Sequence, residues 1–132
     1  MADKAFRDYL PYHKSVIDSP VVITADTPTF TTINQLVISD SLPAGEYVVT
    51  LSYVWHMADV NDSALFRVSS PVTTGEIYKY EPKDASDLIV RTHAKPVTHA
   101  GGAITITLEG SKTAAAGDLT IDSSAVEFER KI

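Results

Sequence analysis

The segment Glu46–Met57 alternates between apolar and polar side chains over its whole length. Successive side chains of a β-strand point to opposite faces, so a period of two predicts a strand with one buried face and one exposed face. Trp55 is in phase with the apolar positions, and we therefore expect it to be buried between two sheets. The apolar positions are Tyr47, Val49, Leu51, Tyr53, Trp55 and Met57, and the opposite ones are Glu46, Val48, Thr50, Ser52, Val54 and His56.

Short segments with strand character recur along the rest of the chain. Val, Ile and Thr account for 37 of the 132 residues, an enrichment that favours strands over helices. Turn-forming residues separate eight predicted strands. These are Val21–Thr24, Thr29–Ser39, Glu46–Met57, Ser63–Ser69, Thr74–Tyr80, Asp87–Thr92, Ala103–Glu109 and Asp118–Arg130. In the last strand the apolar phase changes near Ser123–Ser124, which predicts a β-bulge.

Eight short strands in a chain of this length predict one all-β domain, an eight-stranded antiparallel β-sandwich over residues 20–132. A jelly roll is the eight-stranded arrangement that we favour. Strand order cannot be read from one sequence, so an immunoglobulin-like sandwich remains open at this point.

Residues 1–19 lie outside the period-two pattern and predict an N-terminal arm, extended or briefly helical. A frayed terminus is the alternative interpretation. Four large apolar groups favour an arm that docks on this subunit or on a neighbour. The candidate attachment residues are Phe6, Arg7, Tyr9, Leu10 and Tyr12.

Composition excludes several classes of protein. The chain has no cysteine, which rules out a disulfide scaffold, a Cys-ligated zinc site and a cysteine nucleophile. A net charge of −6 argues against sequence-independent binding of nucleic acid, which needs a basic face. The sequence has no run of 18 or more apolar residues, which a membrane span would need, and the N-terminus does not resemble a secretory signal. We therefore expect synthesis in the cytoplasm, with no membrane partner.

The sequence contains no pattern that predicts catalysis. The four histidines lack the spacing of a metal-binding jelly roll, and we expect His93 and His99 to lie in a solvated loop. Glu127 and Glu129 share one strand face, but two such carboxylates are more typical of a solvated face than of a glycosidase pair. Phosphate-binding and nucleophile-elbow motifs are also missing from the sequence. We predict neither an enzyme nor a cofactor.

Two sets of side chains are candidates for binding. Tyr78 and Tyr80 share a strand face and could stack on a sugar ring, although packing inside the sandwich is the interpretation that we favour. Val48 and Val54 interrupt the polar face that also carries His56. Apolar groups on such a face suggest a second buried surface, and we predict a subunit interface there.

Three motifs resemble small virion proteins of tailed bacteriophages. Leu42-Pro43-Ala44-Gly45-Glu46-Tyr47, followed by Leu51-Ser52-Tyr53-Val54-Trp55, is similar to an opening found in those proteins. The turn Glu81-Pro82-Lys83-Asp84 and the ending from Leu119 to Arg130 resemble a mid-chain turn and the closing strand of the same proteins. The three motifs occur in order and cover roughly residues 40–130.

The resemblance implies a β-sandwich, often a jelly roll, that decorates or cements a capsid as a trimer. It implies binding to the major capsid protein, self-association as a homotrimer and a place on the capsid surface of a virion. It implies no catalytic or cofactor residues. The alternative is a tail or fibre module that binds a host-surface glycan through Tyr78 and Tyr80.

Overall fold

A computed structural model describes residues 12–58, 62–69, 77–82, 88–113 and 117–131. These residues form strands joined by turns, without a helix. The strands are β1 (Tyr12–Ile17), β2 (Val21–Ile23), β3 (Thr31–Leu42), β4 (Gly45–Met57), β5 (Ala64–Ser69), β6 (Ile77–Tyr80), β7 (Ile89–His99), β8 (Gly102–Lys112) and β9 (Leu119–Arg130). No helix in the described part of the chain has the length and apolar character to cross a bilayer.

The strands form two antiparallel sheets packed face to face. The five-stranded sheet has the order β1-β9-β4-β7, with β2 also paired to β9. The four-stranded sheet has the order β3-β8-β5-β6. The chain crosses between the sheets so that strands distant in sequence become neighbours, which is the arrangement of a jelly roll. The predicted all-β jelly-roll sandwich is confirmed.

The sandwich begins earlier than the predicted boundary at residue 20. Tyr12–Ile17, which we assigned to the arm, forms β1 and pairs with Glu129–Ser124 of β9. β1 and β2 pair with successive parts of β9 and so share the place of one long first strand. The sequence signal was weak because β1 is an edge strand whose two faces both carry polar groups, such as Lys14 and Ser15. Phe6, Arg7, Tyr9 and Leu10 lie outside the described residues, and their role in attachment stays a prediction.

β7 is longer than predicted. We expected this strand to end at Thr92 and the following histidines to lie in a loop, but β7 continues to His99 and contains both His93 and His99. Pro96 misled the prediction, since proline cannot donate to a strand ladder. β7 is at the edge of its sheet, where Pro96 pairs with Val48 on one side and needs no partner on the other.

The core lies between the two sheets. The odd-numbered residues of β4 from Tyr47 to Met57 are all buried, and Trp55 is 0% exposed, as its phase predicted. The register of β9 against β4 shifts by one residue between Ser123 and Ile121. This is the predicted bulge, and it keeps apolar side chains on the inner face on both sides of the phase change.

The turn before β4 is held by a side chain of the strand that follows it. The Tyr47 hydroxyl donates to the backbone carbonyl of Pro43 at 2.7 Å. The same ring stacks on Phe128, with ring centroids 4.5 Å apart. The Pro43–Tyr47 motif therefore fixes the start of β4 against the core.

Candidate functional site

The outer face of the five-stranded sheet is the first candidate site. Since the odd-numbered side chains of β4 are buried, its even-numbered side chains point outward. Val48, Val54 and His56, predicted to form a subunit interface, all lie on this outer face. Their part in an interface is not tested by their position and stays a prediction.

The described residues place most of their exposed large apolar side chains on or beside this sheet. Six such side chains are exposed: Tyr12, Val16, Val22, Val37, Leu88 and Val90. Four belong to strands of the five-stranded sheet, and Leu88 directly precedes β7. Val37, on β3, is the member of this set that belongs to the four-stranded sheet. Apolar exposure is therefore concentrated on one side of the sandwich.

A shallow hollow of about 170 Å³ lies in the middle of the outer face. Its floor is made of small groups, namely Ser52 of β4 with Ser123 and Ala125 of β9. Taller apolar side chains from three strands surround this floor. They are Val16, Val54 and Val90. The hollow thus combines a polar floor with an apolar rim.

Charged groups lie around this hollow. Lys14, within β1, and Asp18, the residue that directly follows β1, both line it. The Lys14 ammonium is 3.7 Å from Glu127, a long and largely solvated ion pair of the kind that contributes little to stability. Further along the face, His56 Nδ1 lies 2.7 Å from Asp122 Oδ2. Charge and apolar surface are thus interleaved, as at the rim of a protein interface.

Tyr12 is the one predicted attachment residue among the described residues. Its ring is 46% exposed on β1, and its hydroxyl donates to Glu127 Oε2 at 2.7 Å. That hydrogen bond to a carboxylate raises the pKa of the Tyr12 hydroxyl. Tyr12 therefore belongs to the outer face rather than to a separate arm.

A cluster of aromatic rings at the β6–β7 edge is the second candidate site. The His93 ring stacks on Tyr78 with centroids 3.7 Å apart, and its Nε2 lies 2.6 Å from the Tyr80 hydroxyl. The Tyr53 hydroxyl donates to that of Tyr80 at 3.3 Å. The Arg91 guanidinium lies over the Tyr80 ring, 4.8 Å from its centroid. The cluster joins β6 of one sheet to β4 and β7 of the other.

The packing of this cluster limits what it could bind. Tyr78 and Tyr80 do share a strand, but both are half-buried against the core and contact His93. Burial, followed by the hydrogen bond with Tyr80, raises the pKa of the Tyr53 hydroxyl far above its usual value. A stacked, hydrogen-bonded group of rings is typical of a sandwich edge that has been closed by packing.

A polar cluster at one end of the sandwich was not foreseen from the sequence. Lys112 is 4% exposed, and its ammonium donates to Asp26 Oδ1 at 2.5 Å. This hydrogen bond raises the pKa of Lys112. Asp62, also buried, accepts hydrogen bonds from the Ser63 backbone and the Thr113 hydroxyl. The contacts tie the start of β5 and the end of β8 to the segment after β2.

The described residues contain no group of three His, Asp or Glu side chains placed to hold a metal ion. The candidate sites are therefore surfaces of apolar, aromatic and paired polar groups. Sequence reasoning found the β4 residues of the outer face and missed Lys14, Val16 and Asp18, since these lay in the segment assigned to the arm. It missed Val90 because only the tertiary register places this residue beside Val54.

Comparison with known proteins identifies the fold and no family. No family model matches the chain, and no curated protein matches its sequence. Among solved structures, an Eiger TNF from S. frugiperda is similar over 92% of this chain and 94% of its own, at 10% identity and a TM-score of 0.54. Dimeric latent PorU from Porphyromonas gingivalis is similar over 91% of this chain and 13% of its own, at 8% identity and a TM-score of 0.52.

A weaker likeness is found to the CBM36-1 domain of a multidomain xylanase from the hindgut metagenome of Trinervitermes trinervoides. It covers 86% of this chain and 95% of that one, at 16% identity and a TM-score of 0.40, which supports no conclusion. At identities this low the likenesses speak for architecture alone. The chain is an all-β, jelly-roll-like sandwich, a fold that hosts many unrelated functions.

Proposed function

We propose that the protein is a structural subunit of a bacteriophage virion, a decoration or cement protein on the capsid surface. It binds other protein subunits through the outer face of its five-stranded sheet, and the major capsid protein is the partner that the sequence resemblance implies. The observation that carries the proposal is the concentration of exposed apolar side chains on this one sheet.

The physical character of the face supports protein binding. The inner faces of the two sheets already form the hydrophobic core, so the exposed apolar groups of β1 and β7 are not needed for the fold. Val16 is 51% exposed and Val90 is 63% exposed, and covering them would remove apolar surface from water. The small residues beside them, Ser52, Ser123 and Ala125, project little from the sheet, so another subunit can approach closely.

The proposal needs no chemistry beyond binding. A decoration protein stabilises a shell because each copy contacts several coat subunits, and its contribution is the sum of those contacts. Self-association, which the resemblance implies as a homotrimer, would place several faces on the shell at once and raise the avidity. The acidic net charge suits contact with coat proteins better than contact with packaged nucleic acid.

The alternative, a tail or fibre module that binds a host-surface glycan, has less support. It would use Tyr78 and Tyr80, whose rings are half-buried and already contact His93. A sugar platform requires aromatic faces that are open to solvent.

The test is co-sedimentation of the purified protein with bare capsids of the phage whose genome carries the gene. We expect saturable binding that is weakened at least tenfold by Val90→Asp. Val37→Asp is the matched control, since Val37 is 62% exposed on the other sheet, and it should bind like the wild type. Failure of the wild-type protein to sediment with capsids would overturn the proposal.

A further inference from the structure

We infer that the hollow on the outer face binds a second copy of this chain, related to the first by a two-fold axis. The inference rests on the proposed function in that it concerns the same face: in free solution a second copy covers the surface that a coat subunit would otherwise contact. The axis lies between the outer faces of the two copies. It runs across the strands, along the row formed by Val16, Ala125, Ser52 and Thr92.

The register of the sheet defines what faces what in such a pair. Val16 pairs with Ala125, Ala125 with Ser52, and Ser52 with Thr92, so the four residues form one straight row across four strands. A two-fold rotation about this row reverses the strand direction of the second copy. Each residue that lies before the row on its strand then faces a residue of the second copy. That residue is on the same strand and lies equally far after the row.

Charge complementarity favours this arrangement. Lys14 and Asp18 lie two residues on either side of Val16, and both line the hollow. The rotation therefore brings Lys14 opposite Asp18 of the second copy, and Asp18 opposite Lys14 of the second copy. Each copy contributes one positive and one negative group, so both pairs form at once. A two-fold axis along β1 itself would instead place Lys14 opposite Lys14 and Asp18 opposite Asp18.

The apolar residues of β7 are complementary in the same register. Ala94 and Val90 lie equally far from Thr92, and the rotation places each opposite the other in the second copy. Pro96 and Leu88 are related in the same way, and Leu88 is 65% exposed. On β4, Thr50 is placed opposite Val54 by the same rule. Apolar side chains of β7 and of the middle of β4 thus meet small or apolar ones across the axis, while further out on β4 Val48 lies opposite His56.

The row on the axis consists of small residues. Val16 is its largest member, and Ala125 and Ser52 belong to the floor of the hollow. Two sheets pack about 10 Å apart when their facing side chains interdigitate. Small groups on the axis allow the two sheets to come this close. Val54 and Val90 of each copy then lie at the rim of the contact between the sheets.

The first experiment measures the mass of the intact wild-type protein by sedimentation equilibrium over a range of concentrations. We expect a dimer, at twice 14.3 kDa. A monomer throughout, or the trimer that the sequence resemblance implies, would overturn the two-fold arrangement.

The decisive experiment uses charge reversal. Lys14→Asp leaves two negative groups at positions 14 and 18, and Asp18→Lys leaves two positive ones, so each variant alone should dissociate at concentrations where the wild type is dimeric. An equimolar mixture of the two should form a heterodimer, because every facing pair is then again of opposite charge. Lys79→Asp on the four-stranded sheet is the matched control and should remain dimeric, with circular dichroism confirming the fold of every variant.

Two outcomes would contradict the inference: single variants that remain dimeric, or a mixture that stays monomeric. The results also separate this inference from the proposed function. A monomeric wild-type protein that still binds capsids would overturn the two-fold pair alone. A protein that recombines as described but does not bind capsids, even at concentrations where it is monomeric and its face is open, would overturn the capsid function alone.

Discussion

The indole of Trp55 is fully buried, near the rings of Phe66 and Tyr80. Removing it would leave a large cavity between two sheets whose backbones are fixed by their ladders. We expect Trp55→Ala to lower the free energy of unfolding by about 3–5 kcal/mol, the range for large aromatic residues in cores. Urea denaturation followed by circular dichroism measures the loss.

The control for this substitution is Val37→Ala, at a side chain that is 62% exposed. Its effect should stay within about 0.5 kcal/mol, since exposed positions away from special contacts tolerate truncation. A loss at Trp55 no larger than that at Val37 would mean that the indole does not fill the core.

Tyr53 gives a prediction about pH. Its hydroxyl has a raised pKa because it is buried and hydrogen-bonded to Tyr80, so it stays neutral in the folded protein when the unfolded chain ionises. The stability that this group contributes is therefore present below about pH 10, the ordinary tyrosine pKa, and is lost as the pH rises above it. Denaturation between pH 8 and about 11 should show this fall.

Tyr53→Phe tests the assignment, because phenylalanine cannot ionise. The variant should lose less stability than the wild type between the same pH limits, even if it is less stable at neutral pH. An identical decline in both proteins would place the titrating group elsewhere.

Side-chain phase was readable from the sequence where a strand has one apolar face. Trp55 and its neighbours were placed correctly because the alternation in β4 is unbroken. The partners of His93 were not predictable, since Tyr78 and Tyr80 approach it from β6 and Tyr53 approaches it from β4. That meeting depends on how the two sheets lie against each other, which one sequence does not reveal.

At the scale of strands, Asn34 joins the two sheets along their β1–β3 edge. It is 1% exposed, and its Nδ2 donates to the Ser15 carbonyl at 3.0 Å and to Ser124 Oγ at 3.1 Å. The Ser15 hydroxyl donates to Asn34 Oδ1 at 2.7 Å. One side chain of the four-stranded sheet thus holds two strands of the other sheet.

We expect Asn34→Ala to lower the free energy of unfolding by about 1–3 kcal/mol, because its buried partners lose their hydrogen bonds. Hydrogen exchange should accelerate in β1 more than in β4, since β1 pairs with β9 alone. Gln35→Ala is the control: Gln35 is exposed and donates one hydrogen bond, to Thr107 Oγ1. Equal exchange rates in β1 for both variants would contradict the proposed role of Asn34.

The edge strands account for most of what the sequence did not predict. β1 and β7 are each paired on one side, so their residues need not alternate as those of β4 do. Lys14 and Ser15 place polar groups on both faces of β1, so the alternation that predicts a strand is missing there. Pro96 led us to end β7 too early. Their outward side chains also form much of the candidate site, so the weakest strand signals coincide with the surface of greatest interest.

For the whole molecule, the fold class followed from turn spacing, while the order of strands did not. Eight strands were predicted and the described residues form nine, because β1 lies in the segment assigned to the arm. Neighbours such as β1 and β9 are separated by more than a hundred residues, and no local signal links them. The jelly-roll order brings both ends of the described chain into the five-stranded sheet.

Two truncations separate attachment from folding. A chain that begins at Tyr12 lacks Phe6, Arg7, Tyr9 and Leu10 but keeps β1, whereas a chain that begins at Ser19 also lacks β1. We expect the first to melt cooperatively within a few degrees of the full-length protein, since a loss of about 0.5 kcal/mol shifts the midpoint little. The second should be clearly less stable, because β9 and Asn34 lose their partners on β1.

If the N-terminal segment attaches the subunit to a shell, the chain that begins at Tyr12 should fold normally but bind bare capsids much more weakly than the full-length protein. Ordering a short segment costs roughly 1–2 kcal/mol per residue, so only a surface that covers its apolar groups would hold it in place. Co-sedimentation with capsids, beside thermal melting of the same samples, measures both properties. Unchanged affinity in the chain that begins at Tyr12 would remove these residues from the binding site and leave the outer face as the attachment surface.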